Sequence, residues 1–214
     1  MKRPVVVLLH GMARTHRSME GLRREIARAG YDTWAVTYPS RTLPIRDLAS
    51  GLVERIRREL PGRSLVAVTH SLGGILVRHM ASQIDWEGAV MLAPPNRGSR
   101  FAARFQSWAP FAWIYGPAGQ DVTRAETWPA PPSPFAIIAG TRAVSIGNPL
   151  SWLSHTGRLF EAGVANDGTV AVEETRLEGA VAFGTVDASH TWIMDHPQTR
   201  RWVMEFLARR TFEV

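Results

Sequence analysis

The sequence predicts an α/β fold: a single domain of three layers, α/β/α, around a mostly parallel sheet of about six strands. Three observations carry that expectation. Short runs of β-branched and aliphatic residues recur along the chain without polar alternation, as in strands buried on both faces. Helix-length segments with apolar residues at helical spacing lie between them. A strand, a helix and a further strand make a crossover, which sets the strands parallel and the helices on the sheet's faces.

The elements follow in order. Val5 to Leu9 reads as a first buried strand. Ser18 is placed as an N-cap, after which Met19, Leu22, Ile26 and Ala29 mark one helical face that Gly30 stops. Asp32 to Tyr38 reads as a second strand, closed by Pro39. From Pro44 a helix carries Ile45, Leu48, Leu52, Ile56 and Leu60 in register and ends at Pro61-Gly62. Ser64 to Thr69 is a third strand, Leu72 to Ile84 a third helix and Gly88 to Ala93 a fourth strand. Beyond Pro94-Pro95 the regularity breaks, and residues 96–133 form a variable insert rich in Pro, Gly and aromatics. Phe135 to Thr141 and Ala180 to Val186 resume as strands, and a last helix starts near Pro197.

Composition excludes several classes. At about 100–200 residues per domain, 214 residues make one domain with a sizeable core. With 45% apolar and 21% charged residues, the chain is globular rather than disordered. It has no cysteine, which excludes disulfide scaffolds, cysteine-ligated zinc and thiol nucleophiles. That fits a reducing compartment. The net charge of +6 is almost wholly arginine, Lys2 being the only lysine. The densest sets, Arg23/Arg24/Arg28 and Arg55/Arg57/Arg58, are interleaved with glutamates on helical patterns, so they read as solvated faces with local ion pairs, not as a nucleic-acid footprint. No run approaches the ~18 apolar residues of a membrane span. The opening Met-Lys-Arg-Pro and Val5 to Leu9 lack the length and cleavage site of a signal peptide, so the expected location is the cytoplasm.

The strongest chemical signal is Thr69-His70-Ser71-Leu72-Gly73-Gly74, between a predicted strand and a predicted helix. A strand turning sharply into a helix thrusts the corner residue into a cleft, and small neighbours at −2 and +2 let the two elements approach. Gly73 supplies one of these; Thr69 stands where the pattern has glycine. Ser71 is therefore the candidate nucleophile, against the reading of a plain Ser-Leu-Gly-Gly loop.

Here the chain resembles the α/β-hydrolase family, in particular its small bacterial lipase-like serine esterases. The resemblance runs through His10-Gly11-Met12, the elbow at Ser71, Leu92-Ala93-Pro94-Pro95, Asn166-Asp167-Gly168 and Ser189-His190. It implies nucleophile, acid and histidine in that chain order. After the strand ending at Thr141 the first carboxylates are Glu161 and Asp167. Asp167 lies in a turn-forming Asn-Asp-Gly triplet and is the candidate acid; its plainer reading is an Asx-turn residue that shapes the loop. Glu161 and Asp187 stand in reserve. Of seven histidines, His190 lies at the carboxyl end of the last strand and fits the order. His155 precedes the acid, His196 belongs to the start of the last helix, His70 should point away from its neighbour, and His16 and His79 fall on surface or helix positions.

The resemblance further implies an oxyanion hole from the N–H groups of Met12 and Leu72, the latter at a helix N-terminus. His10 is expected to hydrogen-bond its own loop, and Arg14 to lock that loop through an ion pair. Trp108, Phe111 and Trp113 are candidate acyl-pocket residues, either lining a pocket or packing over the sheet. The expected substrate is a small-molecule or lipid-like ester, with contact at a lipid interface open and neither metal nor organic cofactor implied. Acyl transfer, thioester or amide cleavage would use the same triad, and a non-catalytic ligand-binding homologue is the alternative of another class.

Overall fold

A computed structural model describes residues 3–105, 107–108, 116–122, 125–144, 160 and 163–214. Six strands, β1 (Val5–Leu9), β2 (Thr33–Ala35), β3 (Leu65–His70), β4 (Trp86–Leu92), β5 (Phe135–Gly140) and β6 (Ala182–Val186), form one sheet. Its order is β2-β1-β3-β4-β5-β6 and every pairing is parallel, as the crossover argument requires.

Side chains alternate between two cores. Val5, Val7, Leu9, Ala67, Met91 and Ile137 face α2 (Ile45–Glu59) and α3 (Leu72–Met80). Val6, Leu8, Val66, Val68, Val90 and Ile138 face α1 (Glu20–Arg28) and the C-terminal helix Pro197–Arg209. Because both faces are covered, the strands carry no polar alternation, and the three layers follow. On β6 the close approach is literal: a Cβ at Gly184 would lie 2.5 Å from the Trp202 ring.

Several boundaries differ from the sequence reading, most by a residue or two. Strand β2 stops at Ala35 because Tyr38 leaves the sheet, its N–H donating to His10 Nε2 at 3.3 Å and its hydroxyl to the His10 carbonyl. Ser18 is not an N-cap. It lies inside a 3-10 turn, His16–Met19, and its hydroxyl donates to Thr15 O, while Met19 precedes α1 without a side-chain cap. The third helix ends at Met80 rather than Ile84. The arginine sets behave as expected: Arg23 and Arg24 pair with Glu20 at 2.7 and 2.8 Å, and Arg55 with Glu59 at 2.7 Å.

After β4 come α4 (Arg100–Phe105), a short helix over 116–121, α5 (Val172–Thr175) beyond β5, and α6, the C-terminal helix Pro197–Arg209. Phe101 and Trp128 of the insert are buried in the core, and the Arg78 guanidinium stacks on Trp128 while donating to the carbonyls of Asn96, Trp128 and Pro129. Among the described residues no helix is long and apolar enough to cross a membrane.

Candidate active site

The elbow forms as the sequence predicts. Ser71 has φ 51° and ψ −118°, a left-handed backbone at the corner between β3 and α3. Such a residue is strained and persists only where its surroundings hold it. A Cβ at Gly73 would stand 2.5 Å from Leu9 O and one at Gly74 2.9 Å from the Pro94 ring, so both glycines are needed for helix and strand to close up. Thr69 is fully buried in place of the usual glycine, its hydroxyl 3.4 Å from Val90 O.

Three separated side chains meet at the carboxyl ends of the strands. Ser71 Oγ lies 3.0 Å from His190 Nε2, and His190 Nδ1 lies 2.7 Å from Asp167 Oδ2. A carboxylate only accepts, so Nδ1 carries the ring proton and Nε2 is free to accept from the serine hydroxyl. The His190 backbone N–H donates to Asp167 O at 2.9 Å, which ties the two loops together twice.

The Asp167 carboxylate shapes its own turn and also contacts the His190 ring. Oδ1 accepts from the N–H groups of Thr169 at 3.0 Å and Val170 at 2.7 Å, shaping the loop, while Oδ2 reaches the imidazole. Asn166 Oδ1 accepts from Gly168 N–H, and Glu174 Oε2 from Ala171 N–H at 2.7 Å. Burial pushes the Glu174 carboxyl above its usual range. Gly140, the last residue of β5, makes the room: a Cβ there would lie 2.8 Å from Asp167 Cβ. Of the reserves, Asp187 is turned outward and paired with Arg142 at 2.8 Å, and Glu161 lies outside the described residues.

The loop after β1 is tied down by its side chains. His10 is fully buried and stacks on Tyr38 at 3.8 Å. Its Nδ1–H donates to Gly11 O at 2.7 Å, and burial lowers its pKa from 6.5 to about 4, so the ring is neutral. Ala13 takes a left-handed φ of 55° and donates its N–H to Ser40 Oγ at 3.0 Å. Arg14 does lock this loop, but through a carbonyl rather than an ion pair: Nη1 donates to Thr191 O at 2.7 Å, one residue past His190. Among the described residues no carbonyl takes the N–H of Met12 or of Leu72.

Sequence reasoning missed Ser40, Tyr38, Gly140 and Glu174, none of which lies in a recognisable motif. His196 caps α6 as expected, accepting from Gln198 N–H. His16 Nδ1 lies 2.7 Å from Thr37 Oγ1, and His155 lies outside the described residues. Of the three pocket candidates, Phe111 and Trp113 also lie outside them, and Trp108 is 49% exposed with its ring 6.0 Å from Phe105. Among the described residues no group of three or more His, Asp or Glu side chains could hold a metal ion.

The fold is shared with solved structures at low identity. The mature lipase BlEst2 of Bacillus licheniformis superposes with a TM-score of 0.75 at 22% identity, over 98% of this chain and 93% of that one. The metagenomic carboxyl esterase MGS0156 gives 0.70 at 19%, over 97% of this chain and 75% of that one. Phospholipase PlaB from Legionella pneumophila gives 0.73 at 17%, over 97% of this chain and 60% of that one. No curated protein sequence matches significantly. The model of the alpha/beta hydrolase family matches residues 6–201, nearly the whole sheet and its helices, and the chain therefore belongs to that family.

Proposed function

We propose that the chain is a serine hydrolase that cleaves carboxylic esters through an acyl-enzyme, as one domain using protein groups and water alone. The observation that carries this reading is the unbroken hydrogen-bond path Ser71–His190–Asp167. A serine hydroxyl is inert until a base takes its proton during attack, and a carboxylate behind the base holds its tautomer and stabilises the imidazolium. Ser71 Oγ bonds to the ester carbonyl carbon as its proton passes to His190 Nε2. The carbonyl π pair moves onto oxygen, where the N–H groups of Met12 and Leu72 receive it; each such donor is worth about 10²–10³ in turnover. His190 then returns the proton to the departing alcohol, and water, deprotonated by the same ring, releases the acid.

Lipase, phospholipase and carboxyl esterase are the names of the three superposed structures, which supports an ester or lipid-like substrate. Trp108, half exposed beside Phe105, is read as part of its acyl side. A fluorophosphonate should label wild-type Ser71 and leave Ser71→Ala unlabelled, with nitrophenyl esters turned over faster than the matching anilides. An unlabelled wild type overturns the reading, and labelling with faster anilide or thioester turnover redirects it to the sister activities.

A further inference from the structure

His70, next to the nucleophile in sequence, is the buried titratable group that the scheme above leaves unused. The Ser71 hydroxyl contacts His190 rather than this ring, yet the ring is not idle. Nε2 lies 2.9 Å from the backbone carbonyl oxygen of His190, and the two imidazoles stand 4.8 Å apart between centroids. A carbonyl only accepts, so Nε2 carries the proton and Nδ1 presents a bare lone pair. That Nδ1 is buried and has no hydrogen-bond partner.

The space around it explains the glycine of His10-Gly11-Met12. A Cβ at Gly11 would lie 2.7 Å from His70 Nδ1 and 3.0 Å from Cε1. Gly11 therefore lets the β1 loop close against the His70 ring, beside Met12. The ring thus touches three segments at once: it springs from the end of β3, fills the gap left by Gly11 and bonds the loop of His190. The same loop has its N–H held by Asp167 O at 2.9 Å, so the His190 backbone is gripped at both N–H and carbonyl.

We propose that His70 is a positioning residue: its Nε2–H clamps the carbonyl of His190 and, wedged against Gly11, holds the base and the β1 loop in register with Ser71. It rests on the triad reading above. The groups facing the ring are His190, Arg14 and His10, and burial first, then the nearness of His190, keep His70 well below the usual histidine range. That suits the role. A charge on His70 would oppose the imidazolium that forms on His190 during attack.

The test uses the whole chain, three proteins and two measurements. His70→Gln keeps an N–H donor near the position of Nε2, whereas His70→Leu removes it at similar volume. With a nitrophenyl ester, His70→Leu should lose about 10²-fold in kcat with KM within about threefold, the signature of misplacement rather than lost binding. His70→Gln should recover most of that loss. Wild-type kcat in His70→Leu, or equal impairment in both variants, overturns the proposal. Imidazole proton–nitrogen spectra of the wild type, assigned by subtraction of His70→Gln or by selective labelling, should show His70 as the Nε2–H tautomer, not titrating in the ordinary histidine range. A titrating or Nδ1-protonated His70 overturns it. This second arm decides alone if neither variant folds, and fluorophosphonate labelling of the wild type reports separately on the triad.

Discussion

Asp167 has both carboxylate oxygens taken by named partners and is 1% exposed, whereas Trp108 in the segment between β4 and β5 leaves 49% of its surface to solvent. The rim around Ser71 is built from short polar contacts: His10 to Tyr38, Ala13 to Ser40, Arg14 to Thr191, His70 and Asp167 to the His190 backbone. Among the described residues the insert adds ring packing to its polar contacts, with Phe101 packed in the core and Phe105 bridging it to Trp108 at 5.0 and 6.0 Å. Directional bonds fix atoms to fractions of an ångström, which proton transfer demands. Ring packing fixes area, not a proton's path, and tolerates substitution of similar volume.

The sharpest way to break that contrast is Asp167→Asn. The amide oxygen can still accept from Thr169 and Val170, so the fold should melt unchanged, yet the His190 tautomer is no longer held. Steady-state kinetics should show a fall of about 10⁴-fold in kcat. Phe101→Ala tests the other region. It is 3% exposed, and its removal should cost about 3–5 kcal/mol in a denaturant titration while leaving kcat per folded molecule near wild type.

The rim should also carry most of the pH dependence. Burial lowers His10 from 6.5 to about 4 and His70 in the same direction, so the unfolded chain binds protons that the folded one refuses. Stability contributed by His10 is therefore complete above about pH 6.5 and lost on acidification toward pH 4, by about 3 kcal/mol, and His70 acts in the same direction. Urea melts between pH 7 and 4.5 would reveal it. A flat profile would mean that these rings reach solvent. The smallest effect belongs to Trp108→Ala. At its exposed position it should shift stability by no more than about 0.5 kcal/mol, and any change in activity should appear in KM for longer acyl chains.

Much of the rim was legible before folding because its chemistry is local. Thr69 to Gly74 sits between a β-branched run and an amphipathic one, and Asn166-Asp167-Gly168 is a turn triplet whose side chains bond within a few residues. Where the expectation slipped, a distant residue intervened. Strand β2 was read too long because His10, 28 residues from Tyr38, draws that residue out of the sheet. Arg14 was expected in an ion pair, and its acceptor is a backbone oxygen 177 residues away that carries no residue-type signal. Gly140 offered nothing at all in the sequence, since its role is only to leave room for Asp167.

Sequence alone thus determined a mostly parallel sheet of about six strands, because apolar runs alternating with helical periods leave one way to bury both faces. It also determined the elbow at Ser71, because sharp turns tolerate few residue types. Only the tertiary structure decided that His190 and Asp167 converge on that serine, that Asp187 does not, and that His70 grips the loop between them. Those are distances between residues far apart in the chain, and no local preference encodes a distance.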